Sequence, residues 1–113
     1  MVSITYTEEF KRLAKAFAKK YRSFEKDYAT FLTYLEANPF CGVSLGHDVY
    51  KIRMAIASKG KGKSGGARVL SYNVKMIDPD CVRITLLSIY DKSELDNVSD
   101  KYIKSLVEQV EKS

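Results

Sequence analysis

The chain has 113 residues, of which 45% are hydrophobic, and its 19 Lys and Arg exceed its 14 Asp and Glu to give a net charge of +5. This length fits one compact domain, residues 1–113, and excludes a second domain of ordinary size. No stretch approaches the roughly 18 consecutive apolar residues of a membrane span, and the N-terminus lacks the pattern of a secretory signal, so we expect a cytoplasmic protein.

The N-terminal third predicts one strand and two helices. Residues 3–6 (SITY) are short and β-branched, which suits a strand, and Thr7 can cap the helix that follows. Ser23 can cap a second helix, which ends at Asn38 and Pro39. Both helices carry an apolar stripe of period 3.6, which predicts an αα-hairpin with one packed face. The stripes are Phe10, Leu13, Ala14, Phe17 and Tyr21 in the first helix and Phe24, Tyr28, Phe31, Leu32 and Leu35 in the second.

The rest of the chain predicts three consecutive antiparallel strands and a last helix. Residues 40–48 are irregular, and from residue 49 the period changes to two. Residues 67–76 and 81–90 predict the next two strands, joined by a turn at 78–80. Ser99 can cap the terminal helix. This order predicts an α+β domain with an antiparallel sheet of about four strands, on which the two N-terminal helices pack.

Positive charge is concentrated in residues 49–77, which contain seven Lys and Arg and no Asp or Glu, while the remainder has 12 basic and 14 acidic residues. Such a localised charge indicates a polyanionic partner. The loop 58–66 contains only Ser, Lys and Gly, and its lysines could contact RNA phosphates, although a solvated charged loop is the alternative. It is not a P-loop, because Ala57 stands where that motif needs glycine. The candidate RNA-binding residues are Lys59, Lys61, Lys63 and Lys75.

Lys51 and Arg53 lie on one face of the first of these three strands, opposite Tyr50, Ile52, Met54 and Ile56. With Arg68 close by, these cations repel one another unless an anion binds. They could stabilise the charge that develops on a scissile phosphate, and crowding favours a neutral lysine that acts as a base. The alternative is an exposed sheet face that helix carboxylates neutralise at a distance.

Metal chemistry has little support in the sequence. Cys41 and Cys81 are 40 residues apart without a CxxC spacing, and His47 is the single histidine. We therefore expect two thiols without a redox or ligand role, and neither a metal nor a cofactor; a disulfide between the two cysteines is the alternative, against which the expected cytoplasmic compartment argues.

Three motifs that follow the two helices resemble the RelE/ParE toxin superfamily, and its RelE/HigB branch in particular. They are YKIR at 50–53, KGKSGGARV at 61–69 and LSIYDKSE at 87–94. The resemblance implies a RelE-like fold and the toxin of a type II toxin–antitoxin pair. Such a toxin is an mRNA interferase, a metal-independent endoribonuclease that cleaves mRNA in the ribosomal A site by attack of a 2′-OH on the adjacent phosphate. The implied partners are a cognate antitoxin and the ribosome with its mRNA.

The resemblance also implies site residues. Lys51, Arg53, Arg68 and Lys92 match basic residues of the family by position. Its catalytic tyrosine has no counterpart, because Val98 stands near that position, and Tyr90 is the candidate substitute. The histidines common in the HigB branch are absent from the matching strands, which leaves the general base and the general acid open.

Two other functions remain at this point. One is a ParE-like gyrase inhibitor, which shares the fold but lacks the cationic residues of the nuclease site. The presence of four such cations in this chain argues against that function. A non-catalytic RNA- or ribosome-binding protein is the other, although the predicted strands show no exposed aromatic pair of the kind that stacks bases.

Overall fold

The computed structural model describes residues 1–59, 66–76, 78, 80–93 and 98–112. Within these ranges the chain forms an α+β domain with three α-helices and a five-stranded mixed sheet. The sheet order is β1-β5-β4-β3-β2. The helices are α1 (Glu8–Lys20), α2 (Phe24–Ala37) and α3 (Asp100–Glu111), and the strands are β1 (Val2–Tyr6), β2 (Val43–Ser44), β3 (Val49–Met54), β4 (Ala67–Lys75) and β5 (Val82–Asp91).

The sheet corrects the predicted antiparallel arrangement of about four strands. β3, β4 and β5 are consecutive and antiparallel, as predicted. β1, however, pairs with β5 in parallel, in register from Val2 opposite Val82 to Tyr6 opposite Leu86. β2 is a fifth strand of two residues, inside the stretch predicted to be irregular. Periodicity identifies a strand but not its partner, and two residues are too few to show a period.

Two of the three predicted helix caps are confirmed. The Thr7 hydroxyl accepts a hydrogen bond from the Phe10 amide at 3.1 Å, and the Ser99 hydroxyl accepts one from the Tyr102 amide at 3.1 Å. Ser23 precedes α2 but makes no such bond. Its hydroxyl donates instead to Asp27 Oδ2 at 2.6 Å, because that carboxylate lies one helical turn further on.

The helices cover both faces of the sheet. α1 and α2 pack on the face of Ile52, Met54 and Ile56, which point inward together as predicted. α3 covers Val49 of β3 and Leu70 of β4 on the opposite face. Because side chains alternate along a strand, Lys51 and Arg53 lie on the same face as Val49. No helix within the described ranges is long and apolar enough to cross a bilayer.

Candidate active site

A cavity of about 520 Å³ opens beside β3, where the loop after α2 meets the sheet. Its lining includes four cationic side chains, those of Lys51, Arg53, Arg68 and Lys92. The other lining residues are Tyr34, Cys41, Gly42, Val43, Ile52 and Tyr90. All five residues predicted to be catalytic therefore line a single cavity.

Strand pairing explains why these residues meet. Arg53 on β3 pairs with Arg68 on β4, and Arg68 pairs with Tyr90 on β5. Directly opposite residues have Cβ atoms about 4.5–5.5 Å apart, so the three side chains form a row across the sheet. Like charges in that position destabilise a sheet. The row thus favours a bound anion between the two arginines.

Arg68 is held within the wall of the cavity. Only 7% of the residue is exposed, and its Nη1 donates a hydrogen bond to the Ala67 carbonyl at 3.1 Å. Lys51 is half-buried, whereas Arg53 and Lys92 are exposed. A guanidinium fixed in this way presents a rigid fork of donors, which matches the oxygens of a phosphate.

Two glycines allow the loops to approach β3 closely. Gly42 has a φ of +97°, and a Cβ added there would lie 2.5 Å from the Lys51 carbonyl oxygen. A Cβ on Gly66 would overlap the Met54 carbonyl oxygen. A larger residue at either position would push β2 or the start of β4 away from β3, and so widen the cavity.

Tyr90 contributes its ring to the cavity but not an exposed hydroxyl. The hydroxyl oxygen is buried and has no hydrogen-bond partner among the described residues. Burial raises the pKa of Tyr90 above its ordinary value, the nearby Arg68 charge lowers it, and Tyr102 raises it further. The phenol therefore stays protonated at neutral pH and lies below the cavity surface.

Lys59 and Lys75, two of the four predicted RNA-binding lysines, do not line the cavity. The Lys59 ammonium lies 2.7 Å from Asp91 Oδ2, with 14% and 5% of the two side chains exposed, and 5.4 Å from the centre of the Tyr21 ring. Lys75 Nζ lies 5.6 Å from the centre of the Phe40 ring. Lys61 and Lys63, with the loop residues 60–65, lie outside the described residues.

Asp91 has a role that the sequence did not reveal. Besides pairing with Lys59, its carboxylate accepts hydrogen bonds from the Tyr21 hydroxyl at 2.9 Å and from the Ser93 amide and hydroxyl at 2.9 and 2.8 Å. Asp91 stands between Tyr90 and Lys92 in the chain, so these bonds fix the end of β5 that carries both. No local sequence pattern predicts these two contacts, because Tyr21 is 70 positions and Lys59 is 32 positions away from Asp91 along the chain.

The ionisation of Asp91 should make stability depend on pH. Burial by itself would raise the pKa of this carboxyl, but hydrogen bonds from Lys59, Ser93 and Tyr21 lower it well below its ordinary value. The charged form therefore stabilises the fold at pH values above the unfolded pKa of about 3.9, and this contribution declines as the pH falls further. We expect Asp91→Asn to lower the free energy of unfolding by about 1–3 kcal/mol at neutral pH.

Urea denaturation of both forms between neutral pH and pH 3 measures this effect. The difference between wild type and Asp91→Asn should shrink below about pH 4. A difference that stays constant across this range would show that the charge of Asp91 does not stabilise the fold. Asp100→Asn is the matched control, because Asp100 is exposed at the start of α3.

Metal-dependent chemistry would need a group of ligand side chains. In the part of the chain that the structure describes, no three His, Cys, Asp or Glu side chains are grouped so that they could hold a metal ion. No family model matches the chain.

Proposed function

We propose that this protein is the toxin of a type II toxin–antitoxin pair, with a RelE-like fold, and that it cleaves mRNA in the ribosomal A site. The observation that carries the proposal is the cavity that Lys51, Arg53, Arg68 and Lys92 line together. A sheet that places arginines opposite each other gains stability when an anion binds between them. The order strand, two helices, four strands and helix supports the proposed fold, since β3, β4 and β5 are consecutive and antiparallel.

The proposed reaction needs three catalytic roles from the protein. The ribose 2′-OH attacks the adjacent phosphorus, the bond from phosphorus to the 5′-oxygen breaks, and the products are a 2′,3′-cyclic phosphate and a 5′-hydroxyl. A base must accept the 2′-OH proton, cations must stabilise the charge that grows on the phosphate oxygens, and an acid must protonate the 5′-oxygen. We assign Lys51 as the base, Arg53 and Arg68 as the cations that stabilise the phosphate charge, and Lys92 as the acid.

Lys92 and Tyr90 are the two candidate acids, and only Lys92 is exposed at the cavity, which supports Lys92 as the proton donor. Its side chain is exposed at the cavity, and its ammonium carries three donors. The Tyr90 hydroxyl is protonated but buried, so it cannot reach the 5′-oxygen in this arrangement. We therefore give Tyr90 a positioning role: its ring lies beside Arg68 in the cross-strand row and limits where that guanidinium can lie.

We expect cleavage to require the ribosome, because the cavity supplies charge but few dedicated acid and base groups. Purified protein added to ribosomes stalled on a defined codon should cut the A-site codon and leave a 2′,3′-cyclic phosphate. The same mRNA without ribosomes should stay largely intact. Primer extension locates the cut, and the Arg68→Ala variant is the control for a contaminating nuclease.

Each alternative gives a different result in this assay. Equal cleavage of free RNA would contradict the ribosome requirement, and RNA binding without new ends would indicate a non-catalytic ribosome-binding protein. Inhibition of gyrase supercoiling with no RNA cleavage would indicate the ParE-like function.

The proposal also includes a cognate antitoxin, whose acidic segment would neutralise the cations of the sheet face or pack against α3.

A further inference from the structure

A second cavity of about 160 Å³ adjoins the cationic one on the side of α2. The two cavities have Tyr34 and Arg53 in common in their linings. The lining of the smaller cavity is mostly apolar, and two further polar side chains belong to it. Its other lining residues are Asp27, Thr30, Phe31, Met54 and Ala55.

Tyr34 is unusual among the aromatic residues of the two N-terminal helices. The rings of Phe10, Phe24 and Tyr28 pack against one another in the core between the helices and the sheet. Tyr34 instead is 48% exposed, three positions after the buried Phe31 and one before the buried Leu35. The burial of these neighbours holds α2 in place, so the ring is carried at the junction of the two cavities on a rigid element.

The chemistry of the junction fits a nucleotide. Tyrosine rings and arginine guanidinium planes are two of the groups on which unstacked bases stack in single-stranded nucleic acids. The larger cavity is cationic and suits a phosphate, whereas the smaller one is mainly apolar and suits the flat face of a base. A nucleotide with its phosphate among Arg53 and Arg68 would have its base next to Tyr34.

We propose that the smaller cavity binds the nucleobase adjacent to the phosphate, and that this base stacks on Tyr34. The ligand class is therefore a single-stranded nucleic acid with an unstacked base. Asp27 Oδ2 already accepts hydrogen bonds from Ser23 and Ala57, so Asp27 Oδ1 and the Thr30 hydroxyl are the polar atoms that orient the base edge. The inference rests on the proposed function only in identifying that phosphate as the one cleaved. Base binding itself can be tested without cleavage.

The test uses a short single-stranded oligodeoxynucleotide that contains 2-aminopurine, whose fluorescence falls when it stacks on an aromatic ring. Lacking a 2′-hydroxyl, this ligand cannot be cut by the proposed reaction. We expect the wild-type protein to quench the fluorescence at low salt. Tyr34→Leu should abolish the quenching and weaken binding by about 5- to 150-fold, and Tyr34→Phe should preserve both.

Tyr6→Leu is the matched control. Tyr6 is a tyrosine of similar exposure, at 52%, but it lines a groove between α1 and α2 rather than either cavity. This variant should quench and bind as the wild type does. Thermal melting of all three variants tests whether each is folded.

Three results of the binding test would overturn the inference: no binding by the wild type, binding without quenching, or quenching by Tyr34→Leu that equals the wild type. Ribosome-dependent cleavage is measured separately, so the two proposals can fail independently. Quenching through Tyr34 without any mRNA cleavage would retain the base site and refute the nuclease. Cleavage with an unchanged KM in Tyr34→Leu would retain the nuclease and refute the base site.

Discussion

Replacing Arg68 by alanine should lower the single-turnover rate of mRNA cleavage on saturated ribosomes by roughly 10²- to 10³-fold, the cost of losing a donor to a developing oxyanion. Arg68 is the middle member of the row that runs from Arg53 to Tyr90, and it is 7% exposed. A cation held in the cavity wall needs little reorganisation when charge grows on the phosphate oxygens. Its contribution should therefore fall mainly on the rate and not on affinity.

Two further variants distinguish a specific role of Arg68 in the chemical step from an unspecific effect of positive charge. Arg68→Lys keeps the charge but loses the planar fork of donors, so its rate should lie between those of wild type and Arg68→Ala. Lys75→Ala removes a cation that lies against Phe40, away from the cavity. It should leave the saturated rate unchanged while reducing the salt dependence of binding by at most about one ion. Folded Arg68→Ala that cleaves at the wild-type rate would refute the assignment.

Much of this fold could be predicted because its signals are local. The alternation of Ile52 and Met54 with Lys51 and Arg53 defines β3 and both of its faces, and Thr7 and Ser99 act as caps within one helical turn. The place of β1 beside β5 could not be predicted, since it depends on pairing between residues about 80 positions apart along the chain, such as Val2 and Val82. A propensity argument contains no information on such a partner.

The candidate site divides in the same way. Lys51 and Arg53 share a face because of the two-residue period, so their common location could be predicted. The sequence shows the charge of Lys59 but not its neutralisation, which depends on Asp91 at the far end of β5. Tyr34 lies off the apolar stripe of α2, so its exposure could be predicted. A single exposed ring does not mark a binding surface, however, and the location of Tyr34 between two cavities depends on Arg53 of β3.

Lys51 should have the largest effect of any single cavity residue if it accepts the 2′-OH proton. General base catalysis contributes roughly 10²- to 10⁴-fold, and we expect Lys51→Ala to lower the single-turnover rate by a factor in that range. Lys51 is half-buried on β3, between Val43 on one neighbouring strand and Leu70 on the other. Lys51 lines the same cavity as Arg53 and Arg68, the two arginines assigned to the phosphate.

Lys51→Arg distinguishes a base from a fixed charge. Arginine keeps the positive charge at this position but does not release its proton in proteins, so it cannot act as a base. We expect Lys51→Arg to cleave as slowly as Lys51→Ala in single-turnover reactions on saturated ribosomes, with both variants folded by thermal melting. Recovery of the wild-type rate by arginine would show that Lys51 acts only through its charge. The proton would then have to pass to Lys92 or to a group of the ribosome or the mRNA, since Arg53 and Arg68 cannot accept it and the Tyr90 hydroxyl is buried and protonated.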